Sequence, residues 1–165
     1  MKKRQSGFTL IELLIVIAII GILAAIAIPN LLNAVQRGKQ KRTMSDMRTL
    51  ATAVEAYAVD NNTYPPGATC GAGVLIGNYP AVASTFHDQI APTYVAEPPM
   101  VDAWSHAYGY LTANAGQQYA IGSGGRDGTG GATLSSANCG TTTNFNDDIV
   151  YSNGTFVSWP EGSQN

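Results

Sequence analysis

Glu12 is the only charged side chain between Phe8 and Ile28, a run of about 21 residues. A carboxylate inside such a run costs about 2.5–3.5 kcal/mol on insertion scales, so it calls for a partner cation. The bland alternative is that Glu12, near one end, snorkels or is protonated. Further on, Asp127 sits in the glycine-rich stretch Gly122–Gly131, and Asp147-Asp148 form an acidic pair. Such residues are either a solvated turn and a solvated pair, or oxygen donors for a hard cation. Cys70 and Cys139 are an even pair, fit for one disulfide in an oxidising compartment or for two unpaired thiols. His87 and His106 lack metal-ligand spacing. Gly122-Ser123-Gly124-Gly125 is neither a nucleophile elbow nor a phosphate-binding loop. The chemistry on offer is electrostatic and structural, not catalytic.

The elements that must position these groups are bounded by size and charge. At 165 residues the chain is about one domain long, with 45% hydrophobic and only 12% charged residues. The apolar content excludes a disordered chain, and the absence of a G-X-Y period excludes collagen. Eight of the nine Lys and Arg residues lie at or before Arg48, and nine of the eleven acids lie after it. The back of the chain therefore carries a formal charge of -8. Phosphate backbones require a positive surface, so direct nucleic-acid binding is not expected.

Residues 1–7 form a short basic leader with Lys2, Lys3 and Arg4. Residues 8–29 follow as an apolar segment, long enough at about 1.5 Å per residue to cross a hydrocarbon core of about 30 Å. Residues 30–62 continue in helical rhythm: Met44, Met47, Leu50, Ala51, Val54 and Ala58 recur at steps of three and four. Asp60-Asn61-Asn62 and Tyr64-Pro65-Pro66-Gly67 stop that helix. Residues 63–165 read as a headpiece. A connector with one short helix around 81–90 leads to strands at 107–112, 118–122, 148–152 and 155–159. Asn153-Gly154 is a strong two-residue hairpin signal. The expected class is α+β, with a small antiparallel sheet packed on the outer half of a long N-terminal helix.

Gly7-Phe8-Thr9-Leu10-Ile11-Glu12 resembles the cleavage and methylation motif of type IV prepilins and type II secretion pseudopilins. The resemblance implies that a prepilin peptidase cuts after Gly7 and N-methylates Phe8, leaving the apolar segment on the mature chain. It also implies that Glu12 neutralises the terminal amine of a neighbouring subunit, and that Pro29 kinks or locally melts the helix. The implied setting is the bacterial inner membrane, crossed once, with the C-terminal domain in the periplasm. A bare positive-inside count opposes that orientation, because Arg37, Lys39, Lys41, Arg42 and Arg48 follow the span.

Asp102-Ala103-Trp104-Ser105-His106-Ala107-Tyr108 resembles the Asp-Pro-Trp-Gly-Asn-Pro-Tyr segment of the major pseudopilin, with Ala103 and Ala107 in place of prolines. Gly122–Gly131 and Asp147-Asp148-Ile149 resemble that family's calcium-binding loop and return strand, separated here by a long insertion over 129–146. Calcium held by Asp127 and Asp148, or Asp147 in its place, is thus an expectation. The implied function is a structural subunit of a secretion pseudopilus. The alternatives are a surface type IV pilin, or a membrane-anchored binding module that never polymerises. Implied partners are further copies of the chain, minor pseudopilins or pilins, the peptidase and an inner-membrane assembly platform.

Overall fold

The computed structural model describes residues 8–69, 75–76, 84–129, 132–133 and 140–161. Helix α1 runs from Leu10 to Asn61. Short strands β1 (Ala68–Thr69) and β2 (Leu75–Ile76) precede a seven-residue helix, α2 (Ser84–Ile90). Then come β3 (Gly109–Ala113), β4 (Gln118–Ser123), β5 (Ala132–Thr133), β6 (Gly140–Thr142), β7 (Ile149–Ser152) and β8 (Thr155–Pro160). The six-stranded sheet has the order β1-β3-β4-β7-β8-β6, while β2 and β5 pair separately. Its four central strands are antiparallel, as expected. The edge strands β1 and β6 join in parallel, an addition to that expectation.

The chain divides into two compact units, 1–36 and 37–165. In the first, α1 exposes its apolar side chains all round, from Leu10 and Ile11 through Leu23 and Ile26 to Val35. Pro29 removes one helical donor, and α1 continues through it. In the second unit α1 has one buried stripe: Gln40, Thr43, Met44, Met47, Leu50, Ala51 and Val54. Those steps of three and four keep one face turned inward.

That stripe packs with Phe86 and Ile90 of α2 and with Tyr108, Tyr110, Tyr119, Ile121, Ile149 and Phe156 from the sheet region. Phe86 and Tyr110 meet with ring centroids 4.3 Å apart. Truncating Met47, which is fully buried, would cost about 2–5 kcal/mol through lost transfer energy and a cavity. The β7–β8 turn is made by Asn153 (φ 46°) and Gly154 (φ 88°), both left-handed, as a primed two-residue hairpin turn requires. Asn153 is also tied sideways, its Oδ1 accepting the Tyr119 N–H at 3.1 Å.

Candidate functional site

The start of α1 is a local construction of Thr9 and Glu12. The Thr9 N–H and hydroxyl donate to Glu12 Oε2 at 2.9 and 2.7 Å. In return, the Glu12 N–H donates to Thr9 Oγ1 at 3.3 Å. This is a capping box, in which Thr9 caps the helix and a glutamate three residues on reaches back. The T-x-x-E spacing of such a box is readable in the sequence. Cutting before Phe8 would leave the box intact, because the Thr9 amide belongs to the bond after Phe8. Phe8 itself is exposed. Gly7 lies outside the described residues.

Beyond Glu12, α1 is the one helix among the described residues long and apolar enough to cross a membrane. None of its most hydrophobic window is covered by the rest of the chain. Such a surface cannot rest in water, and it needs lipid or other apolar helices around it.

A second construction lies in the sheet region. Asp102 is buried, and its Oδ1 accepts the N–H groups of Trp104 and His106, each at 2.9 Å. Its Oδ2 accepts the Ser123 hydroxyl at 2.7 Å. His106 Nδ1 reaches the Gly125 carbonyl at 3.1 Å, so the 102–107 turn is joined to the glycine-rich loop. The turn is also fastened to α1, because the Ala103 N–H donates to Thr43 Oγ1 at 3.2 Å. Sequence reasoning missed the roles of Thr43, Asp102 and Ser123, since only folding brings them together.

The expected calcium residues lie near this turn in different environments. Gly125 has φ 65°, and a Cβ there would come within 2.7 Å of the Asp147 carbonyl, so the two loops touch backbone to backbone. Arg126 strengthens the contact through its N–H to the Phe145 carbonyl at 2.9 Å and its Nε to Asn146 Oδ1 at 2.8 Å. Asp127 is exposed, and the Thr129 N–H donating at 3.0 Å holds its carboxyl below the ordinary range. Asp147 is also exposed and accepts from the Thr142 hydroxyl and, at 3.0 Å, from Asn144 Nδ2. Asp148 is buried, its backbone carbonyl held by the Ser158 hydroxyl at 2.8 Å. Among the described residues no three His, Cys, Asp or Glu side chains gather as a metal site. The two loops thus meet, but among the described residues the three acids do not form one ready-made cluster. Cys70 and Cys139 lie outside the described residues.

A capped helix with a bare apolar first half, and a sheet seated on the buried stripe of its second half, defines a membrane-anchored, pilin-like subunit. A family model described as type II secretion system (T2SS), protein G, matches residues 30–142, and the prokaryotic N-terminal methylation motif matches residues 2–28. The chain belongs to the type II secretion system protein G family. It is 36% identical over 130 residues to type II secretion system core protein G of Aeromonas hydrophila, covering 79% of this chain and 89% of that one. The Pseudomonas aeruginosa core protein G is 31% identical over 143 residues, covering 87% and 99%. Type IV major fimbrial protein FimA of Dichelobacter nodosus is 47% identical over 83 residues, about half of each chain. No solved structure matches.

Proposed function

We propose that this chain is a structural subunit of the periplasmic pseudopilus of a type II protein secretion system. The observation that carries the reading is the joint match of the protein G model and the methylation motif across most of the chain. The motif marks processing by a prepilin peptidase, with Gly7 as the last leader residue and Phe8 as the first of the mature chain. The capping box and the exposed apolar helix then play two parts in turn. Before assembly the apolar segment sits in the inner membrane with the sheet on the periplasmic side. In the filament it packs against the same segment of other copies. Minor pseudopilins and an inner-membrane assembly platform complete the set of partners. The work of the protein is mechanical, and any chemistry is done to it.

A surface type IV pilus is the second reading, supported by the FimA likeness, which covers about half of this chain. The core protein G relatives extend through the sheet region and so favour secretion. Intact-mass analysis of assembled protein should give a chain beginning at Phe8 with one added methyl group. Deleting the chain should stop export of secreted proteins while leaving surface fibres in place. Loss of surface fibres with normal export would overturn the secretion reading in favour of the pilus.

Calcium belongs to the same proposal. It is supported by the backbone contact between the Gly125 loop and Asn146-Asp147, flanked by Asp127, Asp147 and Asp148. These acids would supply the hard oxygen donors that calcium prefers, and its charge would relieve their mutual repulsion.

A further inference from the structure

The apolar side chains exposed along the first part of α1 end at Val35. Two residues later the character of the helix reverses, with Arg37, Lys39, Lys41 and Arg42 inside six positions. Arg37, Lys41 and Arg42 are exposed, and Arg37 and Lys41 stand one helical turn apart on the same face. Of these four, only Arg42 has an ion-pair partner among the described residues, Asp46 at 3.7 Å, and its side chain remains 74% exposed. Arg37, Lys39 and Lys41 make no ion pair among the described residues.

Several acids are engaged elsewhere. Further along α1, Glu55 accepts from the Tyr119 hydroxyl at 2.6 Å and Asp60 from the Tyr94 hydroxyl at 2.9 Å. Asp102 and Asp147 are likewise turned to neutral donors of their own chain. What remains is a cluster of four cations, three of them without an ion pair among the described residues, directly following the apolar stretch of α1 along the chain. Where such a helix leaves the hydrocarbon, the abundant anions are phosphates of lipid headgroups. The cluster also stands where a positive-inside count would not put it, so it carries a topological cost that a binding role would offset.

We propose that Arg37, Lys39, Lys41 and Arg42 form a binding surface for anionic phospholipid headgroups at the membrane face from which the sheet region emerges. The proposal rests on the reading that the preceding segment spans the membrane. It adds a second hold on the subunit, electrostatic and salt-sensitive, beside the apolar one.

The full chain, reconstituted in phosphatidylcholine vesicles with trace spin-labelled phosphatidylglycerol or phosphatidylcholine, tests this. The unaltered chain should prefer the phosphatidylglycerol label roughly fivefold or more at low salt. The preference should fade at about 0.5 M salt as screening shortens the reach of each charge. Arg37→Gln/Lys39→Gln/Lys41→Gln should lose most of it, and the charge-conserving Arg37→Lys/Lys41→Arg should keep it. The leader cations are the same in every variant, so the differences report on the cluster alone. Membrane insertion is read separately by resistance to alkaline carbonate extraction. Extraction of the unaltered chain would overturn both the spanning reading and the lipid proposal. Stable insertion with no preference, or with the same preference in the triple variant, would overturn the lipid proposal alone. Reduced self-association of the triple variant at unchanged lipid preference would also overturn it, and would assign the cations to a second copy.

Discussion

Ser123 Oγ lies 2.7 Å from Asp102 Oδ2, and both residues are buried. This contact fastens the 102–107 turn to the end of β4, and the same carboxylate organises the turn through two backbone N–H groups. Asp102→Ala would leave a hydroxyl and two amides without their acceptor. At about 1–3 kcal/mol per unmet buried group, a loss of roughly 3 kcal/mol is expected. Ser123→Ala removes that donor together with the acceptor of the Gly125 N–H at 3.3 Å, and should cost about 1–2 kcal/mol. Chemical denaturation of the intact protein in detergent compares the two, and equal small losses would show the network to be dispensable.

Ser105 sits in the same turn at φ 72°, where the pseudopilin segment it resembles has glycine. A side chain in the left-handed region costs about 1–2 kcal/mol, partly offset by its smaller unfolded-state entropy. Ser105 is exposed, so its hydroxyl has no burial to lose. Ser105→Gly should therefore raise the melting temperature by a few degrees, corresponding to about 0.5–1 kcal/mol. A lower melting temperature would mean that the turn depends on the serine itself.

Burial pushes the phenols of Tyr108, Tyr110 and Tyr119 well above the ordinary tyrosine value, and at Tyr119 the Glu55 carboxylate adds to the effect. These folded-state values are raised, so the contribution is fully present below about pH 10, the unfolded value. It is lost as pH rises further, because the unfolded chain sheds protons that the folded chain retains. Each tyrosine steepens the decline by up to about 1.4 kcal/mol per pH unit. Melting curves between about pH 8 and 11 should show a sharp alkaline fall, shallower in Tyr119→Phe. A flat profile would show that water reaches these rings.

Glu12 closes the capping box of its own helix, and the proposed filament would give it a second role, as counter-charge to a neighbour's terminal amine. Glutamine at the same position can still close a capping box with Thr9 but carries no charge. Glu12→Gln should therefore insert and begin its helix normally yet polymerise poorly, and Glu12→Ala, which also lacks the counter-charge, should polymerise poorly too. Filament yield by electron microscopy decides between the roles. Normal filaments from the glutamine variant would mean that the cap, not the counter-charge, is what assembly needs.

Calcium should raise the melting temperature of the metal-free protein, and chelator should reverse the change. A site filled at about 100 times its dissociation constant adds about 2.7 kcal/mol. Asp127→Ala should remove most of the shift, and comparing Asp147→Ala with Asp148→Ala identifies the other carboxylate. Identical melting in calcium and chelator would dispose of a stabilising site.

Much of the architecture was legible because local chemistry decides it. The stripe from Met44 to Val54 has helical period, and Asn153-Gly154 carries the left-handed angles its hairpin needs. The two-residue strands β1 and β2 were not legible, since two residues show no period and their pairing is set by distant partners. The same limit hid the buried network. Asp102 and Ser123 are 21 positions apart, and Thr43 is 60 positions from Ala103. The residues proposed to hold calcium sit between these cases: the glycine loop and the acidic pair were visible as types, but burial of Asp148 and exposure of Asp127 depend on the packed sheet.

The bare first half of α1 bears on how a filament of such subunits can be taken apart as well as built. A helix apolar on every side meets nearly the same solvent in a bilayer and among copies of itself, because lipid tails are as apolar as leucine. Moving the shaft from one to the other leaves the hydrophobic free energy almost unchanged. The two reservoirs are level, so small terms such as the proposed amine pairing or headgroup contact would set the direction of flow. A polymer balanced in this way can grow when pushed and shrink when released.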